Sequence, residues 1–212
     1  MVEKSSENGS PGVVDEALIA KLEKTVASMP VSANAHYNLG VALSQRGEWD
    51  RCIEEFRSAL KLRPGLLEAR INLAGILLQK GDYDGCIEQS LKALEFRSDL
   101  IEGCINIGIA FIHKGMPEQA IQSFERALAI DPRSVLAHIN LGNVYLSLGD
   151  MDKSIEHNTK ALEIRPSFAM GHNNLAVALY HKGEKEMSMQ HLREAINMGY
   201  PVNPDFIKKF EA

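Results

Sequence analysis

Residues 33–66 read ANAHYNLGVALSQRGEWDRCIEEFRSALKLRPGL, and the chain returns to the same outline four more times at a constant interval of 34 residues. Gly40, Ala74, Gly108, Gly142 and Ala176 share one offset, preceded by Leu39, Leu73, Ile107, Leu141 and Leu175. Gly47, Gly81, Gly115, Gly149 and Gly183 share a second, and Ala59, Ala93, Ala127, Ala161 and Ala195 a third. Pro64, Pro132 and Pro166 stay in register, with Ser98 in their place in the second copy. Self-similarity at a fixed period is the mark of a repeat array. The copies run 33–66, 67–100, 101–134, 135–168 and 169–200.

With each copy numbered from 1, small or apolar residues sit at 7, 8 and 11, then at 20, 24, 27 and 28. Spacings of three and four put each set on one face of a helix. The glycine at 15 suits the left-handed end of the first helix. The acid at 18 (Asp50, Asp84, Glu118, Asp152, Glu186) meets the positive end of the second. Proline at 32 stops that helix. Neither helix buries its apolar face alone, so the copies must stack. Small residues at 3 and 10 (Ala35, Gly103, Ala137, Gly171; Ala42, Ala110, Ala178) allow close approach.

Asn-Leu-Gly, then Gly-Glu-Trp-Asp or Gly-Asp-Tyr-Asp, then alanine and proline at these offsets, resembles the tetratricopeptide repeat over roughly residues 33 to 200. The resemblance implies an all-α, right-handed superhelical solenoid of antiparallel helix pairs. The family's position-4 tryptophan is absent, and His36, Arg70, Cys104, His138 and His172 stand there; the three histidines, between the paired helices, read as packing residues rather than ligands. Residues 13–30 read as an N-terminal capping helix, with Leu18 and Leu22 at positions 20 and 24. Residues 201–212 read as a C-terminal capping helix: Asn203-Pro204-Asp205 starts it, and Phe206, Ile207 and Phe210 form its apolar face. Docking of that face on another chain is the alternative. Residues 1–12 have the composition of a disordered tail.

Composition narrows the function. A net charge of −5, with no lysine- or arginine-rich run, argues against nucleic acid as a partner. No run approaches the ~18 apolar residues of a membrane span. Three cysteines without close pairing point to a reduced, cytoplasmic protein. Cys52 and Cys86 at position 20, and Cys104 at position 4, read as small hydrophobes. His113 and His181, two copies apart, are too far from each other to share a metal ion. No phosphate loop, nucleophile elbow or zinc-protease motif is present, so neither an enzyme nor a cofactor is expected.

At ~100° per residue, positions 2, 5, 6, 9, 12 and 13 point away from the partner helix. In the family, this side lines a concave groove where partners bind. Position 6 is asparagine in all five copies: Asn38, Asn72, Asn106, Asn140 and Asn174. An amide both donates and accepts, so a row of them can hold an extended backbone without reading its sequence. The row resembles the asparagine ladder in the repeat domain of the O-linked N-acetylglucosamine transferase family, whose catalytic domain is absent. The other reading is that asparagine is habitual at this position. At a net ~0.5–1.5 kcal/mol each, the amides need apolar help to hold a peptide. Ile71, Ile105, Ile109, Ile112, Ile139 and Tyr180 are the apolar candidates, with Asn143 at position 9 beside them. The packing of some of them against neighbouring helices is the alternative.

Among these positions the only charges are Glu68 and Glu102. This argues against the basic clamp by which some tetratricopeptide co-chaperones grip acidic tails. The expected partner is a neutral or basic extended segment with apolar side chains, and the expected role a non-enzymatic adaptor. A self-associating scaffold subunit and a chaperone-like holder of extended clients are the alternatives.

Overall fold

The structure, a computed structural model, describes residues 16–210. The expected tail at 1–12, the start of the N-terminal cap at 13–15 and the last residues of the C-terminal cap, 211–212, lie outside that range. Among the described residues every regular element is helical. The chain divides into two compact lobes, one ending at Phe96 and the other beginning at Arg97. The N-terminal lobe holds α1 (Glu16–Ser28), α2 (Ala33–Gln45), α3 (Trp49–Leu62), α4 (Leu67–Gln79) and α5 (Tyr83–Phe96). The C-terminal lobe holds α6 (Ile101–His113), α7 (Pro117–Ile130), α8 (Val135–Ser147), α9 (Met151–Ile164), α10 (Ala169–His181), α11 (Lys185–Asn197) and α12 (Pro204–Lys208).

The first helix of each repeat pairs with the second across a tight turn: α2 with α3, α4 with α5, α6 with α7, α8 with α9, and α10 with α11. The turns share one construction. Gly149, at φ 79°, leaves the helical region, and the amide of Asp150 reaches back to the Tyr145 carbonyl at 2.9 Å. This is a Schellman ending, which satisfies carbonyls that a helix otherwise leaves bare. The Asp150 carboxylate then accepts from Lys153 N at 3.1 Å and caps α9. The next turn starts the following repeat, so α3 packs on α4, α7 on α8 and α9 on α10.

Within each pair the core is made by couples of matched size. Phe56 and Phe124, both fully buried at position 24, lie over Gly40 and Gly108 at position 8. In the fifth repeat Leu192 at the same place packs with the larger Ala176, and in the second the place is taken by buried Ser90. The fourth repeat breaks the pattern with Asn158. It is fully buried, and its amide nitrogen donates to the Ser154 carbonyl at 2.8 Å and hydroxyl at 3.3 Å. Its carbonyl oxygen has no partner. A buried acceptor without a donor is destabilising. Asn158→Leu is therefore expected to raise stability by about 1–2 kcal/mol in a urea titration followed by circular dichroism. An unchanged or lower midpoint would show that the asparagine is satisfied in solution.

Position 4 does more than fill space. His36 Nδ1 meets Glu55 at 2.6 Å, Arg70 donates to Gln89 at 3.0 Å, His138 Nδ1 meets His157 Nδ1 at 3.1 Å, and His172 Nδ1 meets His191 Nδ1 at 2.9 Å. Each of these residues also donates back to the carbonyl of the preceding proline: Pro30, Pro64, Pro132 or Pro166. One side chain thus fastens its own second helix and the turn that leads into its repeat.

Candidate peptide-binding surface

The candidate surface is carried by the first helices, which the turns hold with positions 6 and 9 away from the second. In the N-terminal lobe Asn38 is exposed and Asn72 half-buried, its amide donating to the Tyr37 hydroxyl at 3.4 Å. Ile71 is half-buried beside it. In the C-terminal lobe Asn106 and Asn140 are half-buried, and the Asn140 amide donates to the Leu136 carbonyl of its own helix at 2.7 Å. Asn143 is exposed and makes no hydrogen bond with the described residues. Ile109 and Ile112 are half-buried.

Four of the residues expected on this surface sit differently. Ile105 is 7% exposed and Ile139 only 2%. Ile139 packs with Val135 and Ala161, and its Cδ1 lies 3.1 Å from where a Cβ on Gly171 of the next repeat would stand. Ile139 thus reaches into the next repeat and cements the stack, and both isoleucines offer a ligand almost no area. Asn174, 5% exposed, is buried as well, and its amide nitrogen has no partner. Tyr180 is covered by the chain itself. Phe206 and Phe210 meet its ring edge-on at 5.5 and 5.3 Å, and Lys209 Nζ lies 5.2 Å from its centre. Phe206, Ile207 and Phe210 thus dock in cis on Ala176, Val177 and Leu192.

Two further apolar residues lie open on this surface. Leu136 is 52% exposed and Met170 40%. Both hold position 2, which in the earlier repeats is Asn34, Glu68 or Glu102. Position 2 lies on the outward arc, and a change from polar to apolar along that column was the available signal.

Other reactive groups are quiet. Burial pushes the Cys52 and Cys86 thiols up to about 11, and Cys104 is raised by the same cause. All three are buried, and none forms a disulfide among the described residues. No helix among the described residues is long and apolar enough to cross a membrane.

Tetratricopeptide-repeat models match residues 33–66, 67–100, 108–149, 135–168 and 173–199. The chain belongs to the tetratricopeptide-repeat family. Repeats of this family mediate protein–protein interactions. No curated protein sequence matches the chain significantly. Among solved structures, that of MamA is 24% identical with a TM-score of 0.67, over 78% of this chain and 91% of that one. YrrB, described as a TPR protein with an unusual peptide-binding site, is 19% identical with a TM-score of 0.66, over 90% of this chain and 98% of that one. A thermophilic TPR protein of Thermus thermophilus, TTC0263, is 23% identical with a TM-score of 0.66, over 85% of this chain and 97% of that one. These likenesses establish the solenoid fold of tetratricopeptide proteins.

Proposed function

We propose that this tetratricopeptide protein is a non-enzymatic adaptor that holds an extended segment of a partner against its first-helix faces. The observation that carries this reading is the C-terminal lobe's combination of Asn106, Asn140 and exposed Asn143 with the accessible apolar side chains Leu136 and Met170. The amides suit a backbone, which presents a donor and an acceptor at every residue other than proline. The apolar side chains supply the area that hydrogen bonds to a flexible ligand lack. YrrB, with its peptide-binding site, supports the reading by analogy of fold. Because Glu102 is the only charge at these positions in the lobe, the partner segment is neutral or basic.

The test is a peptide selected on the full chain from a randomised library, titrated by calorimetry against wild type and the Asn106→Ala, Asn140→Ala, Asn143→Ala triple variant. Three amide contacts at ~1 kcal/mol each predict an affinity loss of about 100-fold with unchanged helicity. A loss of less than about threefold, well within one hydrogen bond, removes the asparagines from the site. A selected set dominated by acidic peptides overturns the partner chemistry.

A further inference from the structure

Position 17, the first residue of each second helix, is Trp49, Tyr83, Pro117, Met151 and Lys185 in the five repeats. In the first repeat the indole folds back over the turn glycine: two of its ring atoms lie 3.7 and 3.9 Å from where a Cβ on Gly47 would stand. In the second the Tyr83 hydroxyl lies 3.9 Å from the same point over Gly81. In the third repeat Pro117 has no ring that reaches back, and nothing stands within 4 Å of that point over Gly115. A cleft of about 330 Å³ opens there, lined by Ile112, Gly115, Pro117, Asn143, Val144 and Ser147. A cavity of ~150 Å³ already accepts benzene, so this one has room for an indole or a phenol ring.

The lining specifies the occupant. Ile112 and buried Val144 are apolar, and no lining residue is charged, so the complement is a neutral ring. Ser147 donates its hydroxyl proton to the Val144 carbonyl at 2.7 Å, which leaves its oxygen open as an acceptor. Asn143 Oδ1 is a second open acceptor, so an indole N–H or a phenol O–H finds a partner when its ring is buried. Asn143, Ile112 and Ser147 hold positions 9, 12 and 13, so the cleft is continuous with the surface assigned to the bound segment.

We propose that this cleft is a specificity pocket for a tryptophan or tyrosine side chain of the bound segment, which supplies in trans the ring that the first two repeats carry in cis. The proposal rests on the peptide-binding reading above.

The test uses the full chain with methyl-labelled isoleucine and valine, titrated with N-acetyltryptophanamide and followed by NMR. Saturable shifts at the Ile112 and Val144 methyls are expected, with N-acetylleucinamide about five-fold weaker. Pro117→Trp installs the ring of the first repeat and is expected to abolish the shifts, whereas Pro117→Ala leaves the cleft open and keeps them. If Pro117→Trp does not fold, Ser147→Trp fills the cleft from its exposed rim and gives the same readout. Shifts absent from these methyls, undiminished in the filled variant, or equal for the leucine probe overturn the pocket. A library peptide that depends on the asparagines without any aromatic preference also overturns it, while leaving the peptide-binding reading intact.

Discussion

Phe124→Ala is expected to lower the stability of the C-terminal lobe by about 3–5 kcal/mol. The ring is fully buried between α6 and α7 and sits directly on the backbone of Gly108. Alanine leaves a void that two helices joined by the Schellman turn at Gly115 have little freedom to close. Urea denaturation read by circular dichroism gives the number. The couple itself is tested by a double-mutant cycle. Gly108→Ala alone places a methyl 2.5 to 2.8 Å from three ring carbons of Phe124, an overpacking that costs about 1–3 kcal/mol. Combined with Phe124→Leu, it reproduces the alanine–leucine couple found at Ala176 and Leu192. The two changes should then be less harmful together than their sum by at least ~1 kcal/mol. Strict additivity would mean that position 8 and position 24 are not matched to one another.

The second large effect is a loss of stability on mild acidification, centred on two histidine pairs. The carbonyls of Pro132 and Pro166 accept only, so Nε2 of His138 and of His172 carries a proton and, in the neutral ring, Nδ1 offers its lone pair. His157 and His191 then donate from their own Nδ1. The ring centres of the two pairs lie 5.4 and 5.2 Å apart, the nitrogen separation plus a ring radius at either end. The nitrogens therefore face head-on, as a shared proton requires and as a chelated cation, approached obliquely by both rings, does not.

Each pair holds one additional proton without breaking the bond; a second forces N–H against N–H. Burial is the first cause that holds His138, His157 and His191 below the ordinary imidazole range. The like charge of the partner ring adds to it for His157 and His191. Lys160 and Lys153 act in the same direction on the first pair, while Glu156 and Asp131 oppose them, and Glu194 opposes on the second. Because these rings bind protons less readily folded than unfolded, their stabilisation is complete above about pH 6.5 and is lost as pH falls through the lower folded values.

Thermal midpoints should accordingly fall as the pH drops below about 6.5, by the equivalent of ~1 kcal/mol for a parted pair. The His157→Glu, His191→Glu double variant gives each upstream histidine the carboxylate partner that His36 has in Glu55. A histidine paired with a carboxylate is stabilised in its charged form, which reverses the sign and flattens or inverts the slope in this window. Identical slopes for the two proteins would rule the pairs out as its source.

Much of this architecture is legible in the chain as a string. The 34-residue interval carries the helix pairs, and the glycine at 15 and the acid at 18 carry the turn and the start of the second helix. What stays hidden is the coupling between columns. Glycine opposite phenylalanine, and alanine opposite leucine, recurs at a spacing of 16 residues, as in Gly108–Phe124 and Ala176–Leu192. The position-4 ties recur at 19, as in His138–His157. Each column alone looks like variable packing, and only the contact shows which choices belong together. The groove is half legible for a related reason. A helical period of ~100° separates inside from outside but cannot divide the outer arc between ligand and next repeat. Ile105 and Ile139 fall on the wrong side of that division, while Leu136 and Met170 fall on the open side.

The position-4 ties also set where this chain tolerates scissors. A fragment cut at the start of the fourth repeat, residue 135, would retain His138 but discard the Pro132 carbonyl to which it donates. That strands a buried N–H and frees the incoming loop. The block suited to excision, grafting or circular permutation begins at the proline, so the engineering frame of this array is shifted upstream from the interval at which its sequence repeats.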